Sequence, residues 1–380
     1  MPVTSFGTAS HEETPHPAFR GIRGDKRRMM KKKKILVVTT QVPFISGGAE
    51  YLHRGFMEHL SRRGYEVDSF LIMEKWTPYF LPKWIFQARF IDFDQLPVFP
   101  DIVLALKFPS YLVNHPQKIV YFLHHFRVFY DLWDAPLVQF PRTREILAMR
   151  EMLIKTDTMA LREARRLYTQ SFNVAGRLKR FNNVEAQVVY PPINDAHLFF
   201  SEEPENYLLF PSRLGILKRQ DLAIRAMKFV KSPVKILFAG KPDDENHWRQ
   251  LNQLVQEEGV EDRVKFLGRT PRSTLIELYA RALGVLFLPY DEDYGFVTLE
   301  AMYARKPVIT CKDSGGPVEF VEHEETGFIV DPEPESIAMA IERLFENKNK
   351  AIQMGERGYE KIRAMDLSWD KVIDKVLEGF

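Results

Sequence analysis

The chain has 380 residues, 45% of them apolar and 27% charged, with a formal net charge of +2 and a single cysteine. That length exceeds one ordinary core and predicts two domains of similar size with a cleft between them. The near-neutral charge excludes a dedicated nucleic-acid binder, which needs a basic excess to displace counterions. Cys311 alone excludes an internal disulfide or a thiolate cage, in keeping with a reducing, cytoplasmic setting.

Residues 1–30 are rich in Pro, Gly, His, Thr and basic side chains and poor in aliphatics, so a disordered basic leader is expected. Met29 and Met30 stand directly before the lysines at 31–34, and the folded protein can begin there. The lysine run reads either as a solvated tail or as a peripheral contact with anionic lipid at the inner face of a membrane. Apolar runs such as 284–288 are strand-sized, so no transmembrane helix is expected.

The first domain, 31–195, opens on ILVVT at 35–39, a β-branched run suited to a parallel strand buried on both faces. A glycine pair, Gly47 and Gly48, follows it. Apolar residues at Leu52, Phe56, Met57 and Leu60 give 49–63 a helical period, which Gly64 ends before a strand from Tyr65. Strands at 102–106 and 119–123 and helices at 144–154 and 158–166 continue the alternation of a doubly wound sheet. The proline pair in VVYPPIN, 188–194, and the acidic stretch 201–206 mark a linker.

The second domain, 196–365, repeats the pattern. Strands are predicted at 207–210, 235–239, 264–267 and 284–288, and helices at 219–229, 246–258 and 272–280. The last segment, 366–380, has Leu367, Trp369, Val372, Ile373, Val376 and Leu377 on one face and reads as an amphipathic helix.

Chemistry concentrates in EDYGFVTLE, where seven residues separate Glu292 from Glu300. A turn at Tyr294 and Gly295 aims the amides of the next helix start outward, an end that suits a diphosphate. Glu300, one turn in, can accept two hydrogen bonds from a ribose diol, and Glu292 on the loop can meet sugar hydroxyls. An arbitrary glutamate pair would be solvated surface acids.

The surrounding text changes that estimate. EDYGFVTLEAM resembles the E-x7-E motif of the retaining glycosyltransferases of the GT-B fold, family 4 (glycosyl transferases group 1), and the resemblance spans roughly 34–380. SGGAE at 46–50 is similar to the family's Gly-Gly-Ala-Glu turn. The histidine pair after the strand at 121–123 is similar to its cleft histidine, with His124 favoured and His125 the fallback. Arg213 and Lys218 are similar to its cationic pair, LGRT at 267–270 to its loop under the nucleobase, and the stretches 313–319 and 325–330 to a donor-side loop and a scaffold turn.

The resemblance implies two Rossmann-like domains facing each other across a cleft, with the C-terminal helix returning to the first domain. It implies transfer of a hexose-type sugar from a UDP- or GDP-sugar to a hydroxyl of a saccharide or lipid-linked saccharide, with no cofactor and no metal. His124, Arg213, Lys218 and Glu292 would act in catalysis. Gly47, Gly48, Gly268, Arg269, Tyr294, Gly295, Phe296, Val297 and Glu300 would hold substrate. Retention through internal return is favoured over a covalent intermediate. A nucleotide-sugar 2-epimerase of the same fold is the alternative. A dinucleotide oxidoreductase lacks its G-x-G-x-x-G, and a non-catalytic binding module is disfavoured by the intact site residues.

Two features depart from the pattern or mimic another. Arg305 and Ser212 stand where the family usually has glycine, so a different or mildly strained cap is expected at Arg305. Asp291-Glu292-Asp293 spells D-x-D, the metal signature of another glycosyltransferase fold, and is read here as a decoy. The aromatic stretch 76–99 is expected to shape the acceptor side of the cleft.

Overall fold

The computed structural model describes residues 32–41, 47–73, 78–137 and 141–380. The leader at 1–30, Lys31, Ser46 and Trp76 lie outside the described residues. Lys33–Phe380 form a single unit.

Six parallel strands make the first sheet: β1 (Lys34–Gln41), β2 (Glu66–Met73), β3 (Ile102–Ala105), β4 (Lys118–Phe122), β5 (Arg166–Thr169) and β6 (Gln187–Val188). Their order is β2-β1-β3-β4-β5-β6. The second sheet holds β7 (Tyr207–Phe210), β8 (Lys235–Ala239), β9 (Val264–Gly268), β10 (Gly284–Leu286), β11 (Val308–Cys311) and β12 (Gly327–Val330). These are also all parallel, in the order β12-β11-β10-β7-β8-β9. Each order reverses once, between β1 and β3 in one sheet and between β7 and β10 in the other. Crevices outside the carboxyl ends of strands at such reversals are where open α/β sheets bind ligands.

In the first half the helices are α1 (Gly48–Arg62), α2 (Leu81–Arg89), α3 (Arg144–Arg162) and α4 (Phe172–Asn182). The second half has α5 (Gln220–Met227), α6 (Glu245–Glu257), α7 (Arg272–Arg281), α8 (Phe296–Tyr303), α9 (Pro317–Phe320), α10 (Pro334–Glu346) and α11 (Lys348–Ala364), and α12 (Trp369–Val376) closes the chain. Apolar clusters cover both faces of each sheet, which is why β3, β4, β7 and β11 are buried throughout and read as continuous apolar runs.

The returning helix α12 packs its Trp369, Val372, Ile373 and Val376 on Leu52, Phe56 and Leu60 of α1. The approach is close: a Cβ on Gly55 would lie 1.9 Å from the Trp369 ring. Trp369 also donates to Asn194 Oδ1 at 2.6 Å, tying α12 to the crossing between the sheets.

One expectation is corrected. The region expected as helices at 144–154 and 158–166 is one helix, α3, and 166–169 is the strand β5. Thr156 and Thr158 return their hydroxyls to the carbonyls of Met152 and Ile154 at 2.8 and 2.7 Å, so the helix runs on through them. Asp157 between them turns inward and accepts hydrogen bonds from the Tyr111 and Tyr130 hydroxyls at 3.0 and 2.6 Å.

Candidate functional site

The carboxyl ends of the two sheets face a common cavity of about 200 Å³. Its first wall comes from the loop after β1 and the start of α1 (Gly47, Gly48, Ala49, Glu50, Leu52), from Lys107 after β3, Leu123 and His124 after β4, and Gln170 after β5. The other wall is Arg213 after β7 and the run Glu292, Asp293, Tyr294, Gly295, Phe296 after β10. Both reversals of strand order therefore open into this cavity.

Each glycine at the cavity has a local reason. Gly47 is the N-cap of α1, where its N–H donates to Glu50 Oε2 at 2.7 Å, and Gly48 lies against the Phe296 ring. Gly295 is the N-cap of α8 with φ of 86°, a left-handed conformation in which a Cβ would also meet Pro317 at 2.8 Å. Gly315, with φ of 71°, lets the strand-like pairing of 314–316 with Glu292 run backbone to backbone.

Among the sequence-derived candidates, the cavity gathers Gly47, Gly48, His124, Arg213, Glu292, Tyr294, Gly295 and Phe296. Lys218 joins through its ion pair with Glu292, Nζ to Oε2 at 2.5 Å. Arg219 next to it has φ of 54° and a buried guanidinium that clamps the carbonyls of Leu288 and Pro289 and both oxygens of Asp313. That strained turn aims Lys218 at the loop after β10. Arg213 meets Asp243 at 2.5 Å across a pair with both side chains about two-fifths exposed, an arrangement that an incoming anion can exchange.

His124 and His125 separate cleanly. His124 lines the cavity, its Nδ1 2.7 Å from the carbonyl oxygen of His125. His125 is buried, bonded to Asn182 Oδ1 at 2.7 Å and stacked on Tyr130, and burial pushes its imidazole down to about 3.

Besides Lys218, four candidates do not line the cavity: Gly268, Arg269, Val297 and Glu300. Glu300 lies in the second turn of α8 with both carboxylate oxygens occupied, Oε1 by Arg272 and Oε2 by the Tyr279 hydroxyl, each at 2.7 Å. Burial raises its carboxyl and these partners offset that only in part. Arg272 also grips Asp195 with two bonds of 2.7 and 2.8 Å, so Glu300 is linked to the crossing between the sheets. Gly268 ends β9 and Arg269 follows it, two strands from the reversal, and Val297 is half-buried in α8. The Tyr294 side chain is also structural, donating to the Pro191 carbonyl at 2.7 Å.

Sequence reasoning missed Lys107, whose side chain is 7% exposed and lies 3.7 Å from Glu50. Its position just past a strand beside the reversal was the available signal. Both aspartates of the D-x-D spelling pair with an arginine. Asp291 is 2.8 Å from the Arg177 guanidinium, and Asp293 is ion-paired to Arg177 and lies 3.8 Å from Arg127. Burial works against the charge of Asp293, yet Arg127 and Arg177 hold its carboxyl well below the ordinary range. No cluster of acidic, histidine or cysteine side chains suited to a metal ion occurs among the described residues. Nor is any described helix long and apolar enough to cross a membrane.

Comparison with known proteins bears on this arrangement. Residues 196–361 match the family described as glycosyl transferases group 1. The alpha-1,3/1,6-mannosyltransferase ALG2 of Homo sapiens is 30% identical over 209 residues, 49% of this chain and 50% of that protein. The D-inositol 3-phosphate glycosyltransferase of Corynebacterium glutamicum is 32% identical over 168 residues, 42% of this chain and 39% of that protein. The aligned stretches thus span half or less of these relatives. Sucrose-phosphate synthase from Thermosynechococcus elongatus superposes with a TM-score of 0.73 at 20% identity, over 90% of this chain and 97% of that one. HepE of Anabaena, solved with UDP and glucose, gives 0.65 at 18% identity over 90% and 99%. Residues 196–361 thus form a domain of the glycosyl transferases group 1, and the whole chain, with both sheets shared with structures of this architecture, has the GT-B fold.

Proposed function

We propose that the protein is a retaining, metal-independent glycosyltransferase that moves a hexose-type sugar from a UDP- or GDP-sugar to a hydroxyl of a saccharide or lipid-linked saccharide. The observation that carries this reading is the convergence of His124 and the Gly47-Gly48 turn from one sheet with Arg213, Glu292 and, through it, Lys218 from the other. The curated relatives, a mannosyltransferase and an inositol-phosphate glycosyltransferase, support the reaction class.

In this reading the resting ion pair between Lys218 and Glu292 changes partners on donor binding. The Lys218 ammonium and the Arg213 guanidinium take the diphosphate and neutralise it as the leaving group. Glu292, released, accepts hydrogen bonds from sugar hydroxyls, and His124 faces the sugar from the opposite wall. These cations supply the charge that a metal supplies elsewhere, and the flanking Asp291 and Asp293 are already committed to arginines.

Internal return is the favoured route to retention. In the donor complex Glu292 is taken up by sugar hydroxyls, while Asp293 stays engaged by Arg177 and Glu50 by the Gly47 N–H. None stands ready as a covalent nucleophile. The departing phosphate oxygen then deprotonates the acceptor hydroxyl.

A thermal-shift screen across UDP- and GDP-sugars with EDTA present tests the reading. A shift of several degrees with at least one donor is expected, and no response to any nucleotide sugar would overturn the assignment.

A further inference from the structure

Helix α4 belongs to the first sheet's core through Val174 and Leu178, yet its polar residues reach across to the loops of the second. The Arg177 side chain is 6% exposed and lies against both aspartates that flank Glu292. It also donates to the Asp291 carbonyl, to which Arg127 donates at 2.7 Å. Asp131 completes the group, 2.7 Å from Arg127 and 3.8 Å from Arg177. The start of the helix adds to the grip. Ser171 donates to the Asp293 carbonyl at 2.6 Å, and Asn173 Nδ2 reaches Asp291 Oδ1 at 2.7 Å and the Glu292 carbonyl at 2.9 Å. The first backbone N–H groups of α4, at Phe172 and Asn173, are capped by the Glu319 carboxylate at 3.1 and 2.7 Å, and the Tyr190 hydroxyl donates to Glu319 at 2.8 Å.

We propose that α4 is a clamp between the two halves, and that Arg177 and Asn173 are positioning residues that hold the loop 291–293 so that Glu292 faces the cavity. The proposal rests on the sugar-transfer reading for its kinetic consequence. The physical case is one of constraint. The Asp291 backbone has a positive φ of 46°, a conformation that costs energy and persists only when its surroundings over-determine it. Those surroundings are the first half's side chains on one side and the loop 313–316 on the other, where Asp291 and Glu292 donate to the carbonyls of Asp313 and Ser314 at 2.8 and 2.9 Å. Arginine suits the hub, since its planar fork binds a carboxylate and a carbonyl at once, whereas a lysine ammonium cannot fix both directions. Side-chain partners 114 to 164 residues away thus set the orientation of the one carboxylate that faces Lys218.

Asn173→Ala, Arg177→Lys and Asp293→Asn in the full chain test the clamp by two readouts, amide hydrogen exchange of the segment 289–296 and turnover of whichever UDP- or GDP-sugar the wild type consumes. Asn173→Ala removes two hydrogen bonds, to the Asp291 carboxylate and the Glu292 carbonyl, and leaves Arg177 paired with both aspartates, so it reports even if the other two fail to fold. The clamp predicts exchange at 289–296 accelerated at least tenfold with the β7 and β8 segments unchanged. It also predicts kcat lowered at least tenfold with the donor KM within threefold, and Arg177→Lys no better than Asn173→Ala. Unchanged exchange overturns the clamp, and accelerated exchange with unchanged kcat overturns the positioning role. If the wild type consumes no nucleotide sugar, the transfer reading fails while the exchange measurement still decides whether α4 holds the loop.

Discussion

The Lys218 ammonium lies 2.5 Å from Glu292 Oε2, one residue from the turn after β7 and the other from the loop after β10, where the strand order of the second sheet reverses. The pair neutralises two charges at the floor of a cavity whose opposite wall carries His124 and the amides of Gly47 and Gly48.

Removing the cation should cost the reaction more than the fold. Lys218→Ala is expected to lower kcat/KM for the donor by about 100-fold, or about 2.7 kcal/mol, the scale of one lost contact to a developing oxyanion. Both side chains of the pair are only about one-fifth exposed, so Glu292 is left partly buried without its partner and stability to thermal unfolding should fall as well, by less than the kinetic loss. Steady-state kinetics beside a melting curve checks both halves, and unaltered kinetics would remove Lys218 from the leaving-group role.

Glu300 has a structural bond set that the motif did not reveal. Arg272→Ala leaves Asp195 without its two-bonded partner and Glu300 with only Tyr279, so a loss of about 2 kcal/mol in urea unfolding is expected, with little recovery in Arg272→Lys. A loss below about 0.5 kcal/mol, the size of a weak surface pair, would mean that this linkage does not hold the crossing.

Asp157 gives a pH dependence with a defined sign. Burial pushes its carboxyl up to about 7 although the Tyr130 and Tyr111 hydroxyls oppose the shift. Between the ordinary carboxylate range and pH 7 the folded state therefore holds more protons than the unfolded one, so this group's contribution is present at low pH and is lost as pH rises. Asp157→Asn cannot titrate. The stability of the wild type relative to Asp157→Asn should fall between pH 4 and 8, by up to about 4 kcal/mol. Parallel curves for the two proteins in urea unfolding at each pH would rule this out.

The contact of α1 with α12 is sensitive to one methyl group. Gly55→Ala should destabilise by about 2 kcal/mol through overpacking against Trp369, and Trp369→Phe in the same chain should recover part of it. Calorimetric melting that shows no change in Gly55→Ala would mean that α12 is not packed as described.

Local pattern made much of this fold legible, and long-range pairing hid the rest. The strands 207–210 and 235–239 were readable to the residue, because both are short apolar runs between polar turns. Helix α4 went unread because Arg177 and Asn182, both buried, interrupt its apolar face. One serves the loop 291–293 and the other bonds His125, needs that no local window contains. The signals that were present are the Ser171 cap and the spacing of Val174 and Leu178. Arg305 keeps the left-handed cap that glycine would adopt, with φ of 55°, its guanidinium 4.3 Å from the Tyr359 ring centroid and 3.5 Å from Glu356. At the site, the residues that line the cavity follow strand ends and were legible by position. The engagement of Glu300 by Arg272 and Tyr279 was not, because it depends on how α7 lies against α8.

The most direct test of sugar transfer from this cavity is release of UDP or GDP from nucleotide sugars by the wild type, Lys218→Ala and Glu292→Gln, with EDTA present and with and without saccharide acceptors. Acceptor-stimulated release by the wild type, lowered about 100-fold in each variant, is the predicted result. Equal release by all three proteins, or none from any nucleotide sugar, would contradict it.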